Sequence, residues 1–128
     1  MKSVKIELGG REYYLFFNAE AMFGMNKLCG SANELIQTIF PETSEAYGIL
    51  CKSLVLLSEQ GELARRVLGY DKRPMLTEEQ ARTLVQPIET LPLKMAVVSA
   101  VTIGYGREVE DSDGVVDLVL QEIEKKTA

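Results

Sequence analysis

The side chains of this sequence that could carry out chemistry are few and lie far apart. Its two cysteines, Cys29 and Cys51, lie within separate apolar stretches, and the chain contains no histidine. Thiols without histidine lack the usual activating base, and two thiols do not complete a four-ligand zinc site. We therefore expect both cysteines to be buried and reduced, with no metal or cofactor bound around them.

A cluster of carboxylates near the C-terminus is the best candidate for a cation site. Asp111, Asp113 and Gly114 resemble the middle of a calcium-binding loop, but Val109 and Leu120 would then occupy the first and last ligand positions. We therefore interpret the cluster as a solvated acidic turn that begins the last helix, and predict no metal. Its acidic members are Glu108, Glu110, Asp111, Asp113 and Asp117.

Other motifs do not indicate catalysis either. Gly104-Tyr105-Gly106 is predicted to end a helix, whereas phosphate-binding loops join a strand to one. Glu78 and Glu79 are neighbours on a predicted helix, so their side chains diverge by about 100° and make a poor acid–base pair. The sequence predicts a non-enzymatic protein without a cofactor.

One short segment concentrates positive charge. It could bind a phosphate or an acidic partner, or form a solvated loop beside Glu62 and Asp71, and the second interpretation is the commoner one. Its cations are Arg65, Arg66, Lys72 and Arg73.

Composition predicts one acidic globular domain that spans residues 1–128. Fourteen basic residues against nineteen acidic ones give a net charge of −5, and 46% of the residues are hydrophobic. This balance argues against nucleic-acid binding, because DNA- and RNA-binding domains present basic surfaces. The longest apolar region falls short of the roughly 20 residues that span a bilayer. No signal peptide is evident, so we expect a cytoplasmic protein without membrane contact.

Residues 1–17 are predicted to form a β-hairpin. Val4, Ile6 and Leu8 alternate with polar residues, and Gly9-Gly10 suits a tight turn. A two-residue loop places Glu7 opposite Glu12, an unfavourable pair that a four-residue loop would avoid. In either register the second face of the hairpin carries Tyr14 and Phe16, which we consider candidate partner-binding residues.

Residues 18–126 are predicted to form a bundle of five or six helices, so the fold class is α+β, predominantly α. The first helix begins at Asn18. Pro41 ends the second, Gly61 interrupts a long central one before a basic turn, and Pro87 ends or kinks a later one. In that later helix the stripe facing the core is Ala81, Leu84, Val85 and Ile88.

The last helix is predicted to begin at Ser112 or Asp113 and to carry an apolar stripe. Together with Tyr14, Phe16 and an open edge strand, this stripe is the expected contact surface for a partner. Its residues are Val116, Val119, Leu120 and Ile123.

The order of these elements resembles a known family. A hairpin at Lys5–Leu15 leads through Phe17-Asn18 into a helix. Later in the chain, the motif Leu76-Thr77-Glu78-Glu79-Gln80 is followed by a helix that ends at Pro87 and by an apolar helix from Leu93 to Gly104. This pattern looks like that of the tail assembly chaperones of long, non-contractile-tailed bacteriophages and prophages. The resemblance covers residues 4–18 and 76–106.

The resemblance implies a non-enzymatic protein in the host cytoplasm that binds the tape measure protein during tail assembly. It also implies self-association, with the tail tube protein as a further candidate partner. It also implies a longer form made by ribosomal slippage, for which Lys125-Lys126 could mark the site. Two alternatives stay open at this stage. One is a small intracellular regulatory protein-binding module, and the other is a structural tail component.

Overall fold

A computed structural model describes residues 2–106 and 115–118 of the chain. Within these ranges a three-stranded antiparallel sheet packs against five α-helices, so the predicted α+β class with a predominance of helix is confirmed. The strands are β1 (Lys2–Leu8), β2 (Arg11–Leu15) and β3 (Val115–Asp117). The α-helices are α1 (Ala19–Cys29), α2 (Leu35–Ile39), α3 (Ser44–Val67), α4 (Glu78–Leu84) and α5 (Thr90–Gly104). A short 3₁₀ turn at Ala32–Glu34 precedes α2, and another at Pro87–Glu89 precedes α5.

The hairpin of β1 and β2 has the two-residue loop. Gly9 and Gly10 both have positive φ, at 59° and 80°, as the tight turn requires. Glu7 therefore stands opposite Glu12. Lys5 relieves this like-charge pair, because its Nζ lies 3.4 Å from the Glu12 carboxylate.

The third strand corrects the sequence interpretation. Residues 18–126 were predicted to be helical, with Val116 on the last helix, but Val115–Asp117 form β3 and pair antiparallel with Lys2–Val4. Val115 and Val116 are β-branched and suit a strand. The open edge of β1 supplies the hydrogen-bonding partner that an isolated segment lacks, and Ser3 Oγ also donates to the Val116 carbonyl.

Helix α3 continues through Gly61, so the predicted interruption and the basic turn after it are wrong. The reason is packing: a Cβ at position 61 would lie 2.7 Å from the carbonyl carbon of Tyr14 and closer still to its oxygen. Glycine thus lets α3 run directly against β2. The Phe16 amide donates to the Leu57 carbonyl across this contact.

The core lies between the first face of the hairpin and the helices. Helix α3 packs along β2, α5 packs along β1, and α1 covers α3. Because the apolar residues of β1 all point to this face, the hairpin fixes the position of α5 beside it. Fully buried core residues include Val4, Leu8, Leu15, Leu50, Leu54, Leu57 and Val97.

The chain bends by 106° between α4 and the segment from Pro87 to Gly104. Val85 leaves the helical conformation because the following residues lead into Pro87. The predicted stripe is therefore divided: Ala81 is fully buried, whereas Ile88 is 83% exposed. Ile88 belongs to the 3₁₀ turn that precedes α5, where it lies at the surface and not on the core face of α4.

Candidate protein-binding groove

The chain itself covers the second face of the hairpin around Tyr14 and Phe16, whereas Lys5, Glu7 and Glu12 on the same face are exposed. Tyr14 is only 9% exposed and packs with Ala64 of α3 and with Leu118, while Phe16 is half-buried at the margin of the same small cluster. Tyr14 therefore contributes to the fold and offers little surface to a partner.

The other predicted contact residues lie at the C-terminal end. Val116 is half-buried in β3, not on a helix, and packs against the same small cluster as Phe16. Val119, Leu120 and Ile123 lie outside the described residues, as does most of the acidic cluster. The predicted six-residue surface is thus represented here by Tyr14, Phe16 and Val116 alone.

The basic segment is organised around a buried carboxylate. Glu62 is 7% exposed, and its two oxygens bind Arg65 Nη1 at 2.6 Å and Arg66 Nε at 2.8 Å. Arg65 is 4% exposed, and its guanidinium lies over the rings of Tyr14 and Tyr70. The interpretation as a solvated loop is therefore wrong for Arg65, since Glu62 stands one turn earlier on α3 and neutralises it.

This network holds three segments together. Arg73 N donates to Glu62 Oε2, which attaches the loop after α3 to the helix. Tyr70 Oη of that loop donates to the carbonyl of Leu118, the residue after β3. Burial opposes ionisation of Glu62, but hydrogen bonds from Arg73 N, Arg66 and Arg65 outweigh it and hold the pKa of this carboxyl below its usual value. The charges are satisfied internally, which indicates a structural role.

The cysteines are free and buried, as predicted. Burial raises the pKa of both thiols, Cys29 and Cys51, so neither is an activated nucleophile. Among the residues that the structure describes, no group of three or more cysteine and carboxylate side chains is placed to hold a metal ion.

An apolar groove of about 470 Å³ runs between β1 and the start of α5. Lys5, Ile6 and Glu7 form its strand side. On the other side, Ile88 of the 3₁₀ turn and Met95 of α5 are 83% and 50% exposed. Leu91, in the first turn of α5 but outside the groove lining, is 57% exposed. The groove is further lined by Glu89, Pro92, Leu93, Ala96 and Ser99.

Helix α5 is fixed in place by a buried cation on its opposite side. Lys94 is 5% exposed, and its Nζ donates to the Phe40 carbonyl at 3.0 Å and to Glu42 at 3.2 Å. The ammonium also lies 5.8 Å from the centroid of the Phe40 ring. These contacts attach α5 to the loop before α3 on the side away from the groove.

A second groove lies on the other side of α5, between α5 and the segment from α1 to α2. It measures about 700 Å³ but has a more polar lining. Its polar residues are Asn26, Ser31, Asn33 and Thr102, with Ile36 and Tyr105 among its apolar ones. The groove beside β1 offers the larger exposed aliphatic side chains, so it is the better candidate for an apolar protein segment.

The available apolar surface sets the scale of binding. Complete burial of an aliphatic side chain contributes about 1.5–3 kcal/mol, so covering the exposed parts of Ile88, Leu91 and Met95 would contribute about 3–6 kcal/mol. Association itself costs about 4–15 kcal/mol. These three side chains therefore support weak binding at most, and a tight complex needs additional contacts or several copies acting together.

Sequence reasoning did not select this groove. A signal was present, because α5 is apolar on most sides and a small domain buries only one face of such a helix. The side of α5 that stays exposed depends on the turn at Pro87 and on the position where β1 packs. The spacing of apolar residues in the sequence defines neither of these.

No single helix in the described ranges is long and apolar enough to span a membrane. Helix α4 together with the segment Pro87–Gly104 has the required length and composition, but the two are bent by 106° relative to each other.

Comparison of the chain with protein family models, with curated proteins and with solved structures gave no match.

Proposed function

We propose that this protein is a non-enzymatic tail assembly chaperone of a phage or prophage that binds the tape measure protein. The observation that carries the proposal is the groove between β1 and α5, where Ile88 and Met95 remain exposed, with Leu91 also exposed in the first turn of α5. A chaperone for a long apolar client needs such a surface, and the family resemblance of residues 4–18 and 76–106 supplies the client.

The electrostatic properties of the chain support the same role. A net charge of −5 favours solubility of the chain. The cations Arg65 and Arg66 are engaged by Glu62, which fits a protein-binding surface better than a nucleic-acid one.

The test is co-expression of the chain with the tape measure protein encoded beside it, followed by size-exclusion chromatography with light scattering. We expect a soluble complex that holds several copies of the chain on each client. A monomer that elutes apart from a soluble or aggregated tape measure protein would contradict the proposal.

Two observations separate the alternatives: the stoichiometry of the complex and the presence of the chain in finished tails. A regulatory module would form a small complex of defined composition with one folded partner. A structural tail component would remain in finished tails, whereas a chaperone is absent from them, so an antibody against the chain should detect it in assembly intermediates but not in purified tails.

A further inference from the structure

Among the described residues, one stretch of the sheet edge has no strand partner, and it adjoins the groove. On the edge of β1 away from β2, the described part of β3 pairs with Lys2–Val4 only, and no described strand lies beside Lys5–Leu8 on that edge. The outer edge of β2, by contrast, is covered by α3 near Tyr14 and Phe16.

The register shows which backbone groups face this opening. Leu8 and Arg11 flank the two-residue loop and so form a hydrogen-bonded pair within the hairpin. Because the pattern alternates, Ile6 also bonds to β2, whereas the N–H and C=O groups of Lys5 and Glu7 point away from it, toward the groove. An apolar ligand that covered these groups without pairing them would leave them without hydrogen bonds.

The charges at this edge are unbalanced. Lys5 is engaged by Glu12 at 3.4 Å, and no cation among the described residues forms an ion pair with Glu7. Glu89 adds a second carboxylate to the groove lining. A segment that bears a positive charge complements this edge.

We propose that Lys5–Leu8 receives an extended peptide segment as an added strand, with a cationic side chain beside Glu7 and apolar side chains against Ile88 and Met95. The two sets of side chains alternate because successive residues of a strand point to opposite faces. The free stretch is about 13 Å long, which suits four or five residues of client. This inference rests on the proposed function, and it specifies the segment of client that the groove selects.

The first test uses a defined probe, an acetylated and amidated eight-residue peptide in which valine alternates with lysine. Titrated into isotope-labelled chain, it should shift the amide resonances of Lys5 and Glu7 and slow their hydrogen exchange at least tenfold. A peptide in which valine alternates with glutamate should bind at least tenfold more weakly. Unchanged amides, or amides already protected in the free chain, would overturn the proposal.

A matched pair of variants provides the second test. Glu7→Pro removes the N–H that faces the groove, whereas Glu12→Pro removes the N–H at the opposite edge of the hairpin. Both leave the backbone hydrogen bonds between β1 and β2 intact and both remove one negative charge, although Glu12→Pro also removes the ion pair with Lys5. We expect Glu7→Pro to weaken binding of the valine–lysine peptide at least tenfold and Glu12→Pro to weaken it less than threefold; equal binding would refute strand addition.

These outcomes are separate from those of the proposed function. If the tape measure protein fails to co-purify while the peptide still binds beside Glu7, strand addition stands and the chaperone proposal fails. If the tape measure protein co-purifies and the two proline variants bind the peptide equally, strand addition alone is refuted.

Discussion

Substitution of Gly61 by alanine should destabilise this protein, although it replaces a poor helix former with the best one. In an exposed helix the change would stabilise by about 1 kcal/mol. Here the new methyl group would lie 2.7 Å from the Tyr14 carbonyl carbon, whereas carbon atoms in favourable contact are about 3.5 Å apart or more.

The magnitude follows from what must move. The neighbouring atoms belong to the backbone of β2, so α3 and β2 would have to separate by about 1 Å, with an overpacking cost of about 3 kcal/mol. The hydrogen bond from Phe16 N to the Leu57 carbonyl would weaken at a further cost of about 1 kcal/mol. After the gain in helix propensity, we expect a net loss of about 3 kcal/mol, which corresponds to a fall in Tm of roughly 10 °C.

Urea denaturation and calorimetry measure this loss, and Gly48→Ala on the same helix is the matched control. A Cβ at position 48 would meet only the end of the Arg82 side chain, at 2.8 Å, and that side chain is partly exposed and can move aside. Gly48→Ala should therefore be neutral or stabilising. A Gly61→Ala variant as stable as the natural protein would refute the close packing of α3 on β2.

Three further predictions concern the buried charges and the thiols. Because the folded-state pKa of Glu62 is lowered, its contribution to stability is complete above its ordinary pKa of about 4.5 and is lost as the pH falls through the lowered value. Glu62→Gln should lower the free energy of unfolding by about 3 kcal/mol at pH 7 in urea denaturation, since Arg65 stays buried without its partner. The variant should also lose less stability than the natural protein when the pH is lowered. Lys94→Ala should lower the free energy of unfolding by about 1–3 kcal/mol, because the Phe40 carbonyl loses its hydrogen-bond donor. Glu42→Ala changes a side chain that is 88% exposed, so in the same assay it should lower that free energy by less than about 1 kcal/mol. The two cysteine thiols, whose pKa is raised by burial, should react with iodoacetamide only after unfolding, as mass spectrometry of native and denatured protein would show.

Local signals in the sequence were sufficient for most elements. The cap of α1 at Asn18 and the capping box of Thr77 and Gln80 depend on neighbouring residues alone, and both are present. The sequence left the hairpin register open because the Glu7–Glu12 pair is unfavourable by itself. The position of Lys5 beside Glu12 makes the two-residue loop acceptable.

Long-range contacts account for the elements that sequence reasoning missed. Gly61 is typical of a helix break in isolation, and the close approach of β2 explains why glycine occupies position 61 within α3. Val116 fits a helical stripe equally well until the free edge of β1 is present to pair with it. The groove was missed for the same reason, because the exposure of Ile88 depends on the bend at Pro87.

Binding of the tape measure protein by two matched variants tests the central claim most directly. Ile88 in the groove and Val67 at the end of α3 are β-branched aliphatic residues that are 83% and 84% exposed, so glutamate at either position should leave folding unchanged. With a labelled tape measure protein, we predict that Ile88→Glu lowers the affinity at least tenfold, whereas Val67→Glu stays within threefold of the natural chain. Equal affinities for the two variants would contradict the assignment of the groove between β1 and α5 as the client-binding site.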